Sequence, residues 1–109
     1  MIIDINILNK DNLIEKNFKV DLLLYDYRIE TNEQGIRAFN LTKEVSEDSE
    51  FIAGEIYNYL SNIIADEEKK IQIMLNGKEV LDFNPLRVTY NIQTTEGKNI
   101  QIESLYIEY

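Results

Sequence analysis

The sequence predicts an α+β fold: a mostly antiparallel sheet of about six or seven strands with one amphipathic helix packed on one face, in the order βββαββββ. Three observations predict it. Short apolar runs alternate with polar residues at a period of two through most of the chain. One stretch, from about Glu47 to Lys69, changes to a helical period. Gly35, Gly77 and Gly97 fall between apolar runs, in "TNEQG", "LNGK" and "TTEGKN", where turns belong. No repeat and no linker is visible, so residues 1–109 read as a single domain with one modest core.

The elements follow in order. "IIDINIL" alternates, with Ile3, Ile5 and Ile7 on one face and Asp4 and Asn6 on the other, as a half-buried strand does. "FKVDLLLYDYRIE" reads as one longer strand, apolar on both faces around Leu22 to Tyr25 and therefore central. "IRAFNLT" returns from it as a hairpin partner. In the helical stretch Ile52, Ala53, Ile56, Leu60, Ile63 and Ile64 share an arc flanked by Tyr57 and Tyr59. The opposite arc carries Glu47, Glu50, Gly54, Glu55, Asn58, Ser61 and Asn62. Ser46 or Asp48 supplies the N-cap oxygen. "IQIMLNGKEVLDF" is a hairpin about a type I′ turn, because Asn-Gly tolerates positive φ at both central positions. Pro85 breaks the chain before a final hairpin, "RVTYNIQT" with "NIQIESLYIEY". In that last strand the apolar phase moves from Ile100 and Ile102 to Leu105 and Ile107, which predicts a bulge near Ser104.

Charge is unevenly placed. The net charge is −9, and eight of the twenty acids lie between Glu44 and Glu68, a stretch without Lys or Arg. The remaining twelve acids face all eleven bases. Acids at a helix start are favoured by the helix dipole, which accounts for Glu47, Asp48 and Glu50. It does not account for Asp66, Glu67 and Glu68, expected in the last turn. Two readings therefore stand: a solvated face, or a face for a basic partner. Gly54 has a similar pair of readings, a tolerated helix glycine or a place where a partner's backbone comes close.

Several classes of function are disfavoured. The chain has no His and no Cys, which removes the commonest general base, the commonest zinc ligands and the thiol nucleophile. Its glycines do not build a phosphate loop, and its acids do not have calcium-loop spacing. No catalytic, cofactor-binding or metal-binding residue is expected, and the protein is expected not to be an enzyme. An acidic surface repels nucleic acid. The absence of cysteine, of a long apolar run and of a signal-like N-terminus points to the cytoplasm and away from a membrane.

What remains is binding to protein. A small acidic chain can block the basic site of a nuclease, with carboxylates standing where phosphates would sit. In general character the chain resembles immunity proteins, including those of contact-dependent growth inhibition systems. No motif carries that resemblance, so no residue role does. The expected partner is a basic protein, a toxin nuclease domain. The expected contacts are Glu47, Glu50, Glu55, Asn58 and Asn62, with Tyr57 and Tyr59 as aromatic anchors. Two alternatives use other chemistry: a phage-encoded anti-CRISPR or anti-restriction inhibitor that mimics nucleic-acid charge, and a non-catalytic subunit that pairs through a strand edge, "IIDINIL" or "LYIEY".

Overall fold

The computed structural model describes residues 1–45, 51–66, 68–97 and 100–109. Among these the order is ββββαββββ: β1 (Ile2–Leu8), β2 (Ile14–Asp21), β3 (Asp26–Thr31), β4 (Arg37–Glu44), α1 (Ile52–Ile63), β5 (Lys70–Leu75), β6 (Lys78–Phe83), β7 (Arg87–Thr95) and β8 (Ile100–Glu108). The α+β class is as expected, but there are two antiparallel sheets and not one. The first sheet has the order β2–β1–β5–β6 and the second β3–β4–β8–β7.

The extra strand comes from "FKVDLLLYDYRIE". It is not one central strand but the end of β2, a turn, and β3, and each of these strands lies at the edge of a different sheet. Asp21 makes the break. Its carboxylate accepts the Leu23 N–H at 2.9 Å, and its carbonyl accepts the N–H groups of Leu24 and Tyr25 at 3.0 Å. A side chain that satisfies the backbone two residues on competes with ladder pairing. Leu23, expected in a sheet interior, is 86% exposed.

Other expectations meet the structure more closely. Ile3, Ile5 and Ile7 are buried together. Asn76 and Gly77 have φ of 52° and 76°, as a type I′ turn requires. The bulge near Ser104 is absent: β8 keeps a continuous register with both β4 and β7. The alternation there is unbroken, and Glu103 simply occupies an inward position, fully buried, while Ile102 faces out. The strands "IIDINIL" and "LYIEY" belong to β1 and β8, both interior, so neither has a free edge; the edges are β2, β6, β3 and β7.

α1 is shorter than the sequence suggests, twelve residues in place of the stretch from about Glu47 to Lys69. Phe51 stands at the N-cap, without a side-chain cap, in place of Ser46 or Asp48, which lie outside the described residues. The helix stops because Asp66 turns the chain: its N–H reaches the Ile63 carbonyl at 2.8 Å and its carboxylate accepts the Glu68 N–H at 3.0 Å. Asp66 and Glu68 therefore follow the helix instead of lying in its last turn. A helix this short is marginal alone. It is held by burying Ala53, Ile56 and Leu60 in the core that both sheets share. It lies against β7 and β8 of the second sheet and β2 of the first, so it bridges the sheets instead of covering one face.

Candidate partner-binding face

The two helix tyrosines splay toward different sheets. Tyr59 meets Phe18 of β2 edge to face, centroids 5.8 Å apart, and Tyr57 stacks on Tyr90 of β7 at 5.8 Å. Each ring is half-buried, a joint between core and surface. The consequence is that the predicted contacts do not all share a site. Glu55, Asn58, Tyr59 and Asn62 line one open depression of about 380 Å³, together with Lys16 and Phe18 of β2. Tyr57 lies on the other flank. Glu47 and Glu50 lie outside the described residues.

The depression has a defined chemistry. Glu55, in the first turn of α1, supplies a carboxylate. The Asn62 amide donates to the Asn58 carbonyl at 2.9 Å, which fixes its side chain along the helix. Lys16 rests its ammonium 5.2 Å from the Phe18 ring centroid and 5.9 Å from that of Tyr59. Sequence reasoning missed Lys16 and Phe18. Their alternation with Val20 was the available signal, since it puts all three on the inner side of β2, facing the helix. The base-free segment is therefore next to a base in space.

At Gly54 the close neighbour is neither solvent nor a partner's backbone but a side chain of the same chain. The glycine is half-buried, and a Cβ there would lie 3.3 Å from the Tyr90 hydroxyl and 3.4 Å from its ring carbon. Tyr90 belongs to a buried cluster that sequence reasoning also missed. Tyr25 donates to one carboxylate oxygen of Glu103, and Tyr90 donates to the other at 2.5 Å. The Ala53 N–H, in the first turn of α1, donates to the Tyr25 hydroxyl at 3.4 Å. Lys43 stands opposite Glu103 in the β4–β8 register, with its ammonium 5.2 Å from the Tyr25 ring centroid. Burial, reinforced by the hydrogen bond to Glu103, pushes both phenols well above the usual tyrosine range. Glu103 has no exposed surface, so its carboxylate meets phenols and not solvent. Its work is to tie β8, β7 and the β2–β3 turn to the start of α1.

A larger depression, about 490 Å³, lies beyond the end of α1 between Asp66, Lys69 and the exposed Leu86. It gathers none of the predicted contacts, and Lys69 is engaged by Glu15 at 2.6 Å. Among the described residues no group of three or more acids is placed to hold a metal ion, and no helix is long and apolar enough to cross a membrane. No family model, curated protein or solved structure matches the chain.

Proposed function

We propose that the protein is a small acidic inhibitor that works by direct binding, an immunity protein that neutralises a basic, nuclease-type bacterial toxin in the cytoplasm. The observation that supports it is the meeting of Glu55, Asn58, Tyr59 and Asn62 in one open depression on the helix that follows the base-free segment. A carboxylate, two amides and an aromatic edge suit a cationic partner side chain and the polar groups around it. The nucleic-acid mimic is the weaker reading. α1 carries one acid, Glu55, and Lys16 interrupts the acidic surface beside it, where a mimic needs long rows of charge. Pairing through a strand edge would fall to β2, β3, β6 or β7.

The test is charge reversal. Changing Glu47, Glu50 and Glu55 to Lys, two units each, moves the net charge from −9 to −3. The partner used is a basic toxin nuclease domain against which the protein protects, and association is followed by stopped flow. The on-rate should fall about ten-fold at low salt, and the difference should shrink near physiological salt, where the Debye length is about 8 Å. A variant that folds but no longer protects against the nuclease is the expected result. Full protection at every salt concentration would leave the helix as a solvated face.

A further inference from the structure

The edges of the two sheets are β2, β6, β3 and β7, and β7 is built unlike the others. A strand edge offers backbone N–H and C=O groups to any further strand, and proteins blunt it with bulges, charges or short length. β2 and β6 each carry an extra residue, where the register shifts beside Ile7/Leu8 and Ile73/Met74. β2 also bears Glu15, Lys16 and Lys19, and β6 bears Lys78, Glu79 and Asp82. β3 is six residues long and includes Asp26, Arg28 and Glu30. β7 is nine residues long, pairs with β8 without a shift, and has one charge, Arg87, at its first position. The remainder, "VTYNIQTT", is rich in β-branched residues suited to strands.

The hydrogen-bonding phase of this edge follows from the neighbouring ladder. The Val45 N–H donates to the Gln101 carbonyl, and the Tyr109 N–H donates to the Arg37 carbonyl. The odd-numbered residues of β8 therefore turn their backbone groups toward β4, and the even-numbered ones turn toward β7, where they meet Thr89, Asn91 and Gln93. Val88, Tyr90, Ile92 and Thr94 are left presenting N–H and C=O at the open edge. Among the described residues no backbone hydrogen bond from a turn or loop reaches these groups. Two side chains of the strand are incomplete as well. Ile92 is 44% exposed. Asn91, the midpoint of β7, has an Oδ1 without a donor.

We propose that β7 pairs with β7 of a second copy of this chain, antiparallel about a twofold axis at Asn91, so that the second sheets of two molecules join into one. The strand is self-complementary in this register. Arg87 faces the second copy's Thr95, Val88 faces Thr94, Thr89 faces Gln93 and Tyr90 faces Ile92, so no like charges meet. The Val88–Thr94 and Tyr90–Ile92 pairs exchange backbone hydrogen bonds, because these residues carry the outward groups. The Tyr90 ring and the second copy's Ile92 form an aromatic and β-branched pair that covers exposed apolar surface. Asn91 meets its own counterpart in a pair without backbone hydrogen bonds, where side chains come closest, and each carboxamide donates to the other's oxygen. A second copy is the occupant because the register closes on itself and leaves no free edge at β7. One strand pair is a small contact and each copy carries −9, so the dimer depends on concentration and is strengthened by salt. The depression that holds Glu55 is on the β2 flank of α1, so this contact stands apart from the inhibitory reading.

The experiment is sedimentation velocity on the full chain across a range of protein concentrations, at low and near-physiological salt, with circular dichroism to confirm folding. The parent should move from monomer to dimer and no further. Asn91→Asp and Asn91→Lys each set like charges together at the axis and should weaken dimerisation at least about ten-fold. An equimolar mixture of the two variants should dimerise again, as a heterodimer, which a merely unfolded variant cannot do. Ile92→Pro withdraws an outward N–H, leaves the β7–β8 ladder intact and should abolish the dimer. Glu55→Lys should leave it in place. A parent that stays monomeric at every concentration, open-ended assemblies, dimers undiminished in both Asn91 variants, or a mixture no tighter than either variant alone would each overturn the proposal. Loss of the dimer in Glu55→Lys would also overturn it, by assigning the contact to the helix.

Discussion

On the outer face of the first sheet, polar side chains satisfy one another across four strands. Lys19 binds Asp4 at 2.8 Å, Asn17 donates to Asn6 at 2.6 Å, Asn6 donates to Gln72 at 3.1 Å, and Gln72 donates to Glu79 at 3.1 Å. On the outer face of the second sheet the amides of Asn40 and Asn91 leave buried oxygens without donors. The inner faces differ as well. The first sheet turns isoleucines inward, whereas the second buries the carboxylate of Glu103. Two sheets with the same strand count thus treat polarity in opposite ways. A network closed on itself specifies register and asks nothing of a partner. A buried acceptor without a donor carries a cost that a closed network does not.

The largest expected effect tests the buried carboxylate. Glu103→Ala removes the acceptor for one buried and one half-buried phenol and should cost about 3 kcal/mol in chemical denaturation, at the upper end for single substitutions. The same cluster gives a pH signature. The folded chain holds the protons of Tyr25 and Tyr90 above the ordinary tyrosine range, whereas the unfolded chain releases them near pH 10. Their contribution is therefore complete below about pH 10 and is lost as pH rises further. Ultraviolet titration should show two of the seven tyrosines ionising only as the chain unfolds, and Tyr25→Phe with Tyr90→Phe should abolish that late phase.

The next effect sets the two outer faces against each other directly. Asn6→Val breaks the ladder at a buried position and should cost about 1–3 kcal/mol. Asn40→Val, at an equally buried strand position, removes an oxygen that has no donor and adds a residue suited to strands. It should be neutral or stabilise by up to about 1 kcal/mol in thermal melts. Equal losses at the two sites would erase the distinction between the faces.

The smallest effect concerns Gly54. Alanine gains about 1 kcal/mol of helix propensity. Against it, the new methyl crowds Tyr90, which is tethered at its hydroxyl by Glu103 and on its ring by Tyr57. Crowding a fixed neighbour costs about 1–3 kcal/mol, so Gly54→Ala should be mildly destabilising. Tyr90→Phe removes the tethering hydroxyl, and a double-mutant cycle with it should recover part of the loss.

Much of the fold was legible because strands announce themselves locally. The alternation in β1, the Asn-Gly turn and the last hairpin are short-range signals, and they hold in three dimensions. The second sheet was not legible. Three adjacent leucines outweighed the single Asp21 that turns the chain, because an apolar run looks like a buried strand whether or not its backbone is diverted. Glu103 was misread for a related reason. A charged residue at an inward position looks like a change of phase, and only the pairing with β4 and β7 shows that the phase never changed. Of the predicted contacts, Glu55, Asn58, Tyr59 and Asn62 share a depression since helical periodicity alone brings them near each other. Lys16 and Phe18 come from a strand far away in sequence; their alternation with Val20 marks one side of β2, but only the tertiary fold pairs that side with α1.

The strand orders have a consequence for the shape of the core. Exchange β1–β4 with β5–β8, and both orders map onto themselves: β2–β1–β5–β6 becomes β6–β5–β1–β2, and β3–β4–β8–β7 becomes β7–β8–β4–β3. The connectivity is that of a pseudo-twofold, with central antiparallel pairs β1–β5 and β4–β8. The exchange carries the neighbours of α1, which are β2, β7 and β8, onto β6, β3 and β4. At that related opening Phe83, at the end of β6, stacks on Tyr109 at 4.2 Å, and Arg37 of β4 lies 5.1 Å from the Tyr109 ring centroid. One of the two related positions is filled by a helix and the other by two rings and a guanidinium, so a nearly symmetric frame acquires a distinct front and back.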